Sequence, residues 1–232
     1  MLRLIIFVLI AYTTMGSAWG ATTWYTIEVI AFSHLNNDGL YEENWPSSPG
    51  EPAIHNAVRL APPGELALDD RAEHSGSVHT YNLLGRSSLR MENIANRLKQ
   101  SSGYRPLMHI AWRQPGLSKS LSKAVYVHSA LPNSHRSDAT AHDGPAGEPQ
   151  IQGTIRVSRA RYLHVDTDLL HSRQVPADAD LSTSRFRMRQ TRRMRSEEVH
   201  YIDHPLFGVI VLITPHEAVE MFSEEQSESS EE

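Results

Sequence analysis

An uninterrupted apolar run, Leu206 to Ile213, constrains this chain more than any other segment. It is composed of aliphatic, β-branched and aromatic residues with one glycine at Gly208, and Thr214 and Pro215 close it. A run of about eight such residues without polar alternation is typical of a strand that is buried on both faces. We therefore predict a strand here and place it at the centre of the fold.

Six other segments carry the patterns of strands, because their residues alternate in polarity or are rich in β-branched and aromatic types. These segments are 24–32, 104–113, 123–128, 151–159, 161–170 and 185–195. We expect 104–113 and 123–128 to pair as a loose antiparallel hairpin, and 151–159 to turn near Arg159 into the next strand. About seven strands therefore form a mainly antiparallel sheet.

One segment, Leu84 to Leu98, repeats its apolar residues at helical spacing and predicts an amphipathic helix. Ser87 or Ser88 is suited to cap its start and Gly103 to end it. Its apolar stripe needs a partner, and the only large apolar surface nearby is a sheet face. The predicted fold class is α+β, with at least one helix packed on one face of the sheet and long irregular loops.

Two long segments interrupt these patterns. Residues 34–80 are rich in proline, asparagine, serine and glycine and predict a long loop, whereas 131–148 predicts a flexible exposed loop. Within the first, Trp45 suits two roles, which are stacking on a sugar ring and anchoring the loop to the body. Together, residues 21–222 are expected to form a single domain.

Both ends of the chain have distinctive compositions. Residues 1–20 combine Arg3, an apolar stretch and small residues before Gly20, which predicts a cleaved secretory signal peptide and no transmembrane span. Residues 223–232 form an acidic tail expected to be disordered. The net charge of −5 includes five glutamates in the last nine residues, so the body is nearly neutral and nucleic-acid binding is not expected.

The strand predicted at 185–195 has arginine at almost every second position. We call these residues the arginine stripe; its members are Arg185, Arg187, Arg189, Arg193 and Arg195. Asp166 and Asp168 on the preceding strand are suited to pair with two of them, and two carboxylates cannot neutralise five guanidinium groups. The stripe therefore predicts either a solvated face or a site for an anionic ligand, with Tyr162 and His164 as neighbouring contacts.

A polar group precedes the central apolar run and invites two interpretations. It comprises His200, Tyr201, Asp203, His204 and Pro205. One interpretation is a structural corner whose side chains satisfy backbone groups, and the other is a metal site of a wall hydrolase using the two histidines and Asp203. The spacing lacks the glutamate of a zinc-hydrolase helix, which favours the structural role and predicts no metal. No nucleophile motif occurs, so we expect neither a cofactor nor catalysis.

Several long motifs occur in one order along the chain. They are WYTIEVIAF (24–32), ENWP (43–46), HIAWRQP (109–115), RYLHVDTDL (161–169) and RRMRSEEVHYIDHPLFGV (192–209). Together they resemble the CsiV family of periplasmic peptidoglycan-binding proteins. The resemblance implies a non-catalytic protein of the periplasm that binds peptidoglycan and assists an outer-membrane lipoprotein activator of a bifunctional (class A) penicillin-binding protein. A protein-interaction adaptor without wall affinity is the alternative.

Overall fold

Residues 22–60, 80–131, 149–176 and 184–216 are described by a computed structural model. Within them lie ten strands: β1 (Trp24–His34), β2 (Val58–Arg59), β3 (Asn82–Leu83), β4 (Tyr104–Pro115), β5 (Val125–His128), β6 (Ile151–Arg159), β7 (Leu163–Ser172), β8 (Arg185–Met194), β9 (Val199–His204) and β10 (Phe207–His216). Two α-helices accompany them, α1 (Asp38–Glu42) and α2 (Glu92–Gln100). The mainly antiparallel α+β class is thus confirmed, whereas the strands divide between two sheets instead of forming one.

The first sheet has the order β3-β4-β1-β10-β9, and all its neighbours are antiparallel. Val29 of β1 lies opposite Ile110 of β4 and Val211 of β10. The predicted buried strand is confirmed as β10, but β1 rather than β10 occupies the centre of the sheet. Strands β1 and β10 therefore pair along almost their full length, a non-local contact that the apolar run alone does not reveal.

The second sheet has the order β2-β5-β6-β7-β8, antiparallel except for the short parallel pair of β2 and β5. The predicted turn from β6 into β7 is confirmed. Gly153 of β6 has φ +148°, and a Cβ there would lie 2.1 Å from the backbone oxygen of Asp168. The lack of a side chain at this position therefore allows β6 and β7 to approach closely.

The expected hairpin of 104–113 with 123–128 is wrong, because β4 belongs to the first sheet and β5 to the second. The connection between them crosses from one sheet to the other. Gly116 begins it with a backbone hydrogen bond to Thr23 at the end of the first sheet, and the Ser122 hydroxyl bonds the backbone oxygen of Val157 in the second. The connection between β4 and β5 is thus long enough to carry the chain from the first sheet to the second.

The core fills the space between the two sheets, whose inner faces pack against each other as a sandwich. Ile27, Val29 and Trp112 contribute from the first sheet, and Val157 and Leu169 from the second, all of them buried. Polar side chains between the two sheets form hydrogen bonds from one sheet to the other. The Trp112 indole donates to the Gln114 side chain, whose amide donates to the backbone oxygen of Val157.

Helix α2 covers the outer face of the first sheet, where Met91 and Ala95 pack on Ile30 and Phe32. The amphipathic helix is thus confirmed, but its predicted start is wrong, because a 3₁₀ turn occupies Arg86–Ser88 and α2 begins at Glu92. A single α-helical turn, α1, and strand β2 lie within the predicted loop 34–80. Most of that loop's second half, residues 132–148 of the second predicted loop, the predicted signal peptide and the predicted acidic tail lie outside the described residues.

No helix among the described residues has the length and apolar character needed to cross a membrane.

Candidate functional site

The predicted ligand-binding residues come together on the outer face of the second sheet. In the register of β7 and β8, Arg193 lies opposite His164, Arg189 opposite Asp168, and Thr191 opposite Asp166. Alternation along β8 sends Phe186, Met188 and Met194 into the core. The residues of the other parity, which include Arg187, Arg189 and Arg193, project outward, whereas Arg192 has the parity of the core residues. The stripe is shorter than predicted, because β8 ends at Met194 and Arg195 follows it.

The first half of the arginine stripe is engaged within the protein. Arg187 donates two hydrogen bonds, of 2.7 and 2.8 Å, to the carboxylate of Asp168, and a third to the backbone oxygen of Pro49. The bond to Asp168 raises the pKa of Arg187. Arg185 pairs with Glu51 at 2.6 Å. These two arginines fasten the segment around Pro49 to β8, so they have a structural role.

The second half of the stripe is open to solvent. Arg189 is 73% exposed and its Nε lies 4.0 Å from Asp168, whose carboxylate already accepts two bonds from Arg187. Arg193 is exposed and places its guanidinium 4.7 Å from the centre of the Tyr162 ring. Among the described residues, no salt bridge involves Arg193. We call Arg189 and Arg193 the exposed arginine pair.

The other carboxylate on this face, Asp166, is also occupied. It accepts a 2.6 Å hydrogen bond from the Thr191 hydroxyl and pairs with Lys119 at 3.0 Å. Burial works to raise the pKa of Asp166, but the bonds from Thr191 and Lys119 outweigh burial and hold that pKa below its usual value. Both acids of β7 therefore have closer partners than the exposed arginine pair.

The polar group before β10 lies mostly in a strand. His200, Tyr201, Asp203 and His204 belong to β9, and Pro205 begins the two-residue turn into β10. Alternation turns His200 and His204 toward the second sheet and Tyr201 and Asp203 toward the outer face of the first. The side chains proposed as metal ligands thus project to opposite faces, and the described residues hold no cluster of three potential ligands.

Two side chains, Trp45 and Gln190, make contacts near β9, and only the role of Trp45 was among those predicted from the sequence. Trp45 packs at 4.9 Å from Phe186 and 5.3 Å from His204, and its indole donates to the backbone oxygen of Gly39. This geometry is that of a loop anchor. Gln190 of β8 donates a 2.6 Å hydrogen bond to the backbone oxygen of Asp203 and so bridges the edges of the two sheets. Gln190 was missed because its partner lies on another sheet.

Comparison with known proteins identifies the family. No curated protein and no solved structure matches the chain significantly. A family model described as "Peptidoglycan-binding protein, CsiV" matches residues 2–216, which include every strand and helix described above. The chain therefore belongs to the CsiV family of peptidoglycan-binding proteins.

Proposed function

We propose that this protein is a non-catalytic peptidoglycan-binding protein of the periplasm that contacts the wall through its exposed arginine pair. In this proposal it supports cell-wall synthesis by assisting an outer-membrane lipoprotein that activates a class A penicillin-binding protein. Membership of the CsiV family supports the binding of peptidoglycan. The role with the lipoprotein rests on the family resemblance alone.

The observation that carries the wall contact is the solvent-exposed charge of Arg189 and Arg193, of which Arg189 has only a long 4.0 Å contact to Asp168. Stem peptides of peptidoglycan carry carboxylates, and a guanidinium group binds a carboxylate through two parallel hydrogen bonds. Asp166 and Asp168 are already engaged by other donors, so an incoming carboxylate meets cations without a competing acid. The Arg193 guanidinium lies over the Tyr162 ring, and this contact already restricts the arginine side chain. Less conformational entropy is therefore lost when a ligand binds.

Replacing Arg189 and Arg193 together by serine is expected to weaken binding to purified sacculi about tenfold. Each exposed charge pair contributes about 1 kcal/mol or less, so two of them account for a change of that size. Co-sedimentation between about 0.05 M and about 0.5 M salt measures the effect, because the contribution of exposed charges falls as salt screens them. Wild-type binding should weaken with salt, and binding by the double variant should depend on salt much less.

The matched control is the double replacement of Arg86 and Arg97, two exposed arginines on the side of the first sheet, by serine. It changes the net charge equally and should leave binding to sacculi unchanged. Arg187 is kept, because its loss would leave Asp168 without its principal partner. Equal losses in both double variants would reject a local site on β8 in favour of a general charge effect.

A pull-down with the lipoprotein activator tests the adaptor role separately. Salt-resistant capture of the lipoprotein by a protein that does not sediment with sacculi would favour the alternative function, an adaptor without wall affinity. The hydrolase alternative is disfavoured by the opposite orientations of Asp203 and the two histidines on β9.

A further inference from the structure

Four aromatic rings meet at one end of the outer face of the first sheet. Phe32 is the buried centre, with Tyr104 edge-on at 5.3 Å and Tyr201 stacked at 6.0 Å and 18°. His34 lies 5.5 Å from Tyr104 and completes the group. We call Phe32, His34, Tyr104 and Tyr201 the aromatic platform. Its two tyrosines remain 42% and 43% exposed, so it presents ring surface to solvent.

A glycine in the adjacent strand leaves room for the Tyr201 ring beside Phe32. Gly208 lies opposite Phe32 on β1 and opposite Asp203 on β9. A Cβ at this position would lie 2.5 Å from Cε2 of Tyr201 and 2.6 Å from Cζ of Phe32, distances that real contacts do not reach. The absence of a side chain thus lets the Tyr201 ring lie across the sheet with one face on Phe32. This is the single glycine in the apolar run of β10.

The edge of the platform is polar and carries a carboxylate. The Tyr201 hydroxyl donates a hydrogen bond to Asp203, and His34 donates through Nδ1 to the backbone oxygen of Pro205 at 3.0 Å. Burial and the bond to Asp203 raise the pKa of Tyr201. Within the described residues, Tyr201 is the only side chain that donates to the Asp203 carboxylate. Since a carboxylate has about four acceptor positions, Asp203 retains the capacity to accept further hydroxyl donors.

The negative charge of Asp203 beside the platform favours some classes of ligand over others. Asp203 repels carboxylates, and the cation–π contacts of the described residues involve Tyr126 and Tyr162 but neither platform tyrosine. A neutral ligand with a flat face of C–H groups and hydroxyls at its rim fits best, because the C–H groups meet the negative face of an aromatic ring. A pyranose ring has both properties. A purely apolar partner would remove water from the Asp203 carboxylate and leave the Tyr201 hydroxyl as its side-chain donor, which costs free energy.

We propose that the aromatic platform binds a sugar ring of the glycan strand, an inference that rests on the proposed peptidoglycan binding. The platform and the exposed arginine pair then contact two different parts of one ligand. The first takes neutral sugar and the second takes stem-peptide carboxylate.

The location of the two surfaces allows a single wall fragment to reach both. Strands β8 and β9 are the edges of their respective sheets, and Gln190 joins them through the backbone oxygen of Asp203. Since Arg189 adjoins Gln190 in β8, the exposed arginine pair and the platform lie at the same edge of the sandwich.

The test uses chitotetraose, a neutral tetramer of N-acetylglucosamine that has no peptide and no carboxylate. Titration calorimetry should detect its binding to the purified protein, and Tyr104→Ser or Tyr201→Ser should each weaken it about fivefold. The control is Leu121→Ser, which removes an exposed apolar side chain from the connection between β4 and β5 and should bind chitotetraose as the wild type does. Sedimentation with sacculi is measured on the same four proteins.

A second measurement on the wild-type protein avoids dependence on the folding of the variants. Ring-proton resonances of Tyr104 and Tyr201 should shift during the chitotetraose titration, while those of Tyr162 stay in place. Sedimentation with sacculi without chitotetraose binding, or chitotetraose binding that neither tyrosine affects, would overturn the platform proposal and leave the proposed function standing. The same holds if the tyrosine variants lose only the lipoprotein partner. Absence of both kinds of binding would overturn both proposals.

Discussion

Replacing Glu28 by alanine is expected to lower the free energy of unfolding by about 3 to 5 kcal/mol, as removal of one partner from a buried polar network does. The Glu28 side chain lies between the first sheet and α2 and is 2% exposed. Its carboxylate accepts hydrogen bonds from the backbone amides of Arg90 and Met91 and from Nε2 of His109 at 2.7 Å. The variant leaves these donors buried without an acceptor. Urea denaturation followed by circular dichroism measures the loss.

The control for this prediction is Glu92→Ala, which removes an exposed carboxylate from the first turn of the same helix. It should cost about 0.5 kcal/mol, because only the interaction of its charge with the helix terminus is lost. Glu28→Gln should give an intermediate loss, since one amide oxygen still accepts from the backbone. If Glu28→Ala and Glu92→Ala lost equal amounts, the carboxylate of Glu28 would not be what fixes α2 on the sheet.

Local pattern predicted seven of the ten strands and the outward face of β8, but it missed β2 and β3 and interpreted β9 as a corner. Alternation depends only on neighbouring residues, so it places Arg189 and Arg193 together with Asp166 and Asp168 once β7 and β8 are adjacent. The long apolar run also correctly predicted that β10 is a buried strand. The helix was predictable from its period, but its start was not, since Glu28, more than sixty residues earlier, fixes it.

The division into two sheets was not predictable, because alternation is the same whichever sheet a strand joins. The same limit applies to the roles within the arginine stripe. Arg187 is distinguished from Arg189 by its bond to Pro49, a residue distant in sequence. The aromatic platform depends on β1, β4, β9 and β10 meeting at one end of a sheet. The one signal in the sequence was Gly208, a glycine in the middle of an otherwise bulky strand.

Two buried histidines should make the protein less stable as the pH falls from about 6.5 to about 4. Burial lowers the pKa of His171 to about 4, and positive charge on Arg173, Arg105 and His204 acts in the same direction. His171 is wholly buried, with its ring nitrogens on the Gln150 backbone oxygen and the Ser33 hydroxyl. The bond to Gln150 works against this shift, but burial outweighs it.

His204 lies close by and behaves in the same way. Burial lowers its pKa to about 4, the charge of His34 adds to the effect, and Asp203 opposes it. Its Nδ1 accepts a hydrogen bond from the backbone amide of Leu206, and its ring packs against Trp45 and Phe207. A protonated Nδ1 could not accept that bond, so the folded protein holds the neutral imidazole.

The sign of the pH effect follows from these shifts. Between about pH 4 and pH 6.5 the unfolded chain binds protons that the folded protein excludes, so the free energy of unfolding decreases as the pH falls through this interval. A pKa lowered from about 6.5 to about 4 corresponds to about 3 kcal/mol for each imidazole at full extent. The loss should level off below about pH 4 as far as these two groups are concerned. Thermal unfolding across this range measures it.

Replacing His171 by glutamine should flatten the dependence of unfolding free energy on pH by about half, because one of the two imidazoles no longer titrates. The amide of glutamine is able to donate to the Gln150 oxygen as the imidazole does. The matched control is His55→Gln, which removes an exposed histidine and should keep the wild-type slope. A slope in His171→Gln as steep as that of the wild type would show that protons enter elsewhere. A slope of opposite sign would mean that the buried imidazoles are protonated in the folded protein.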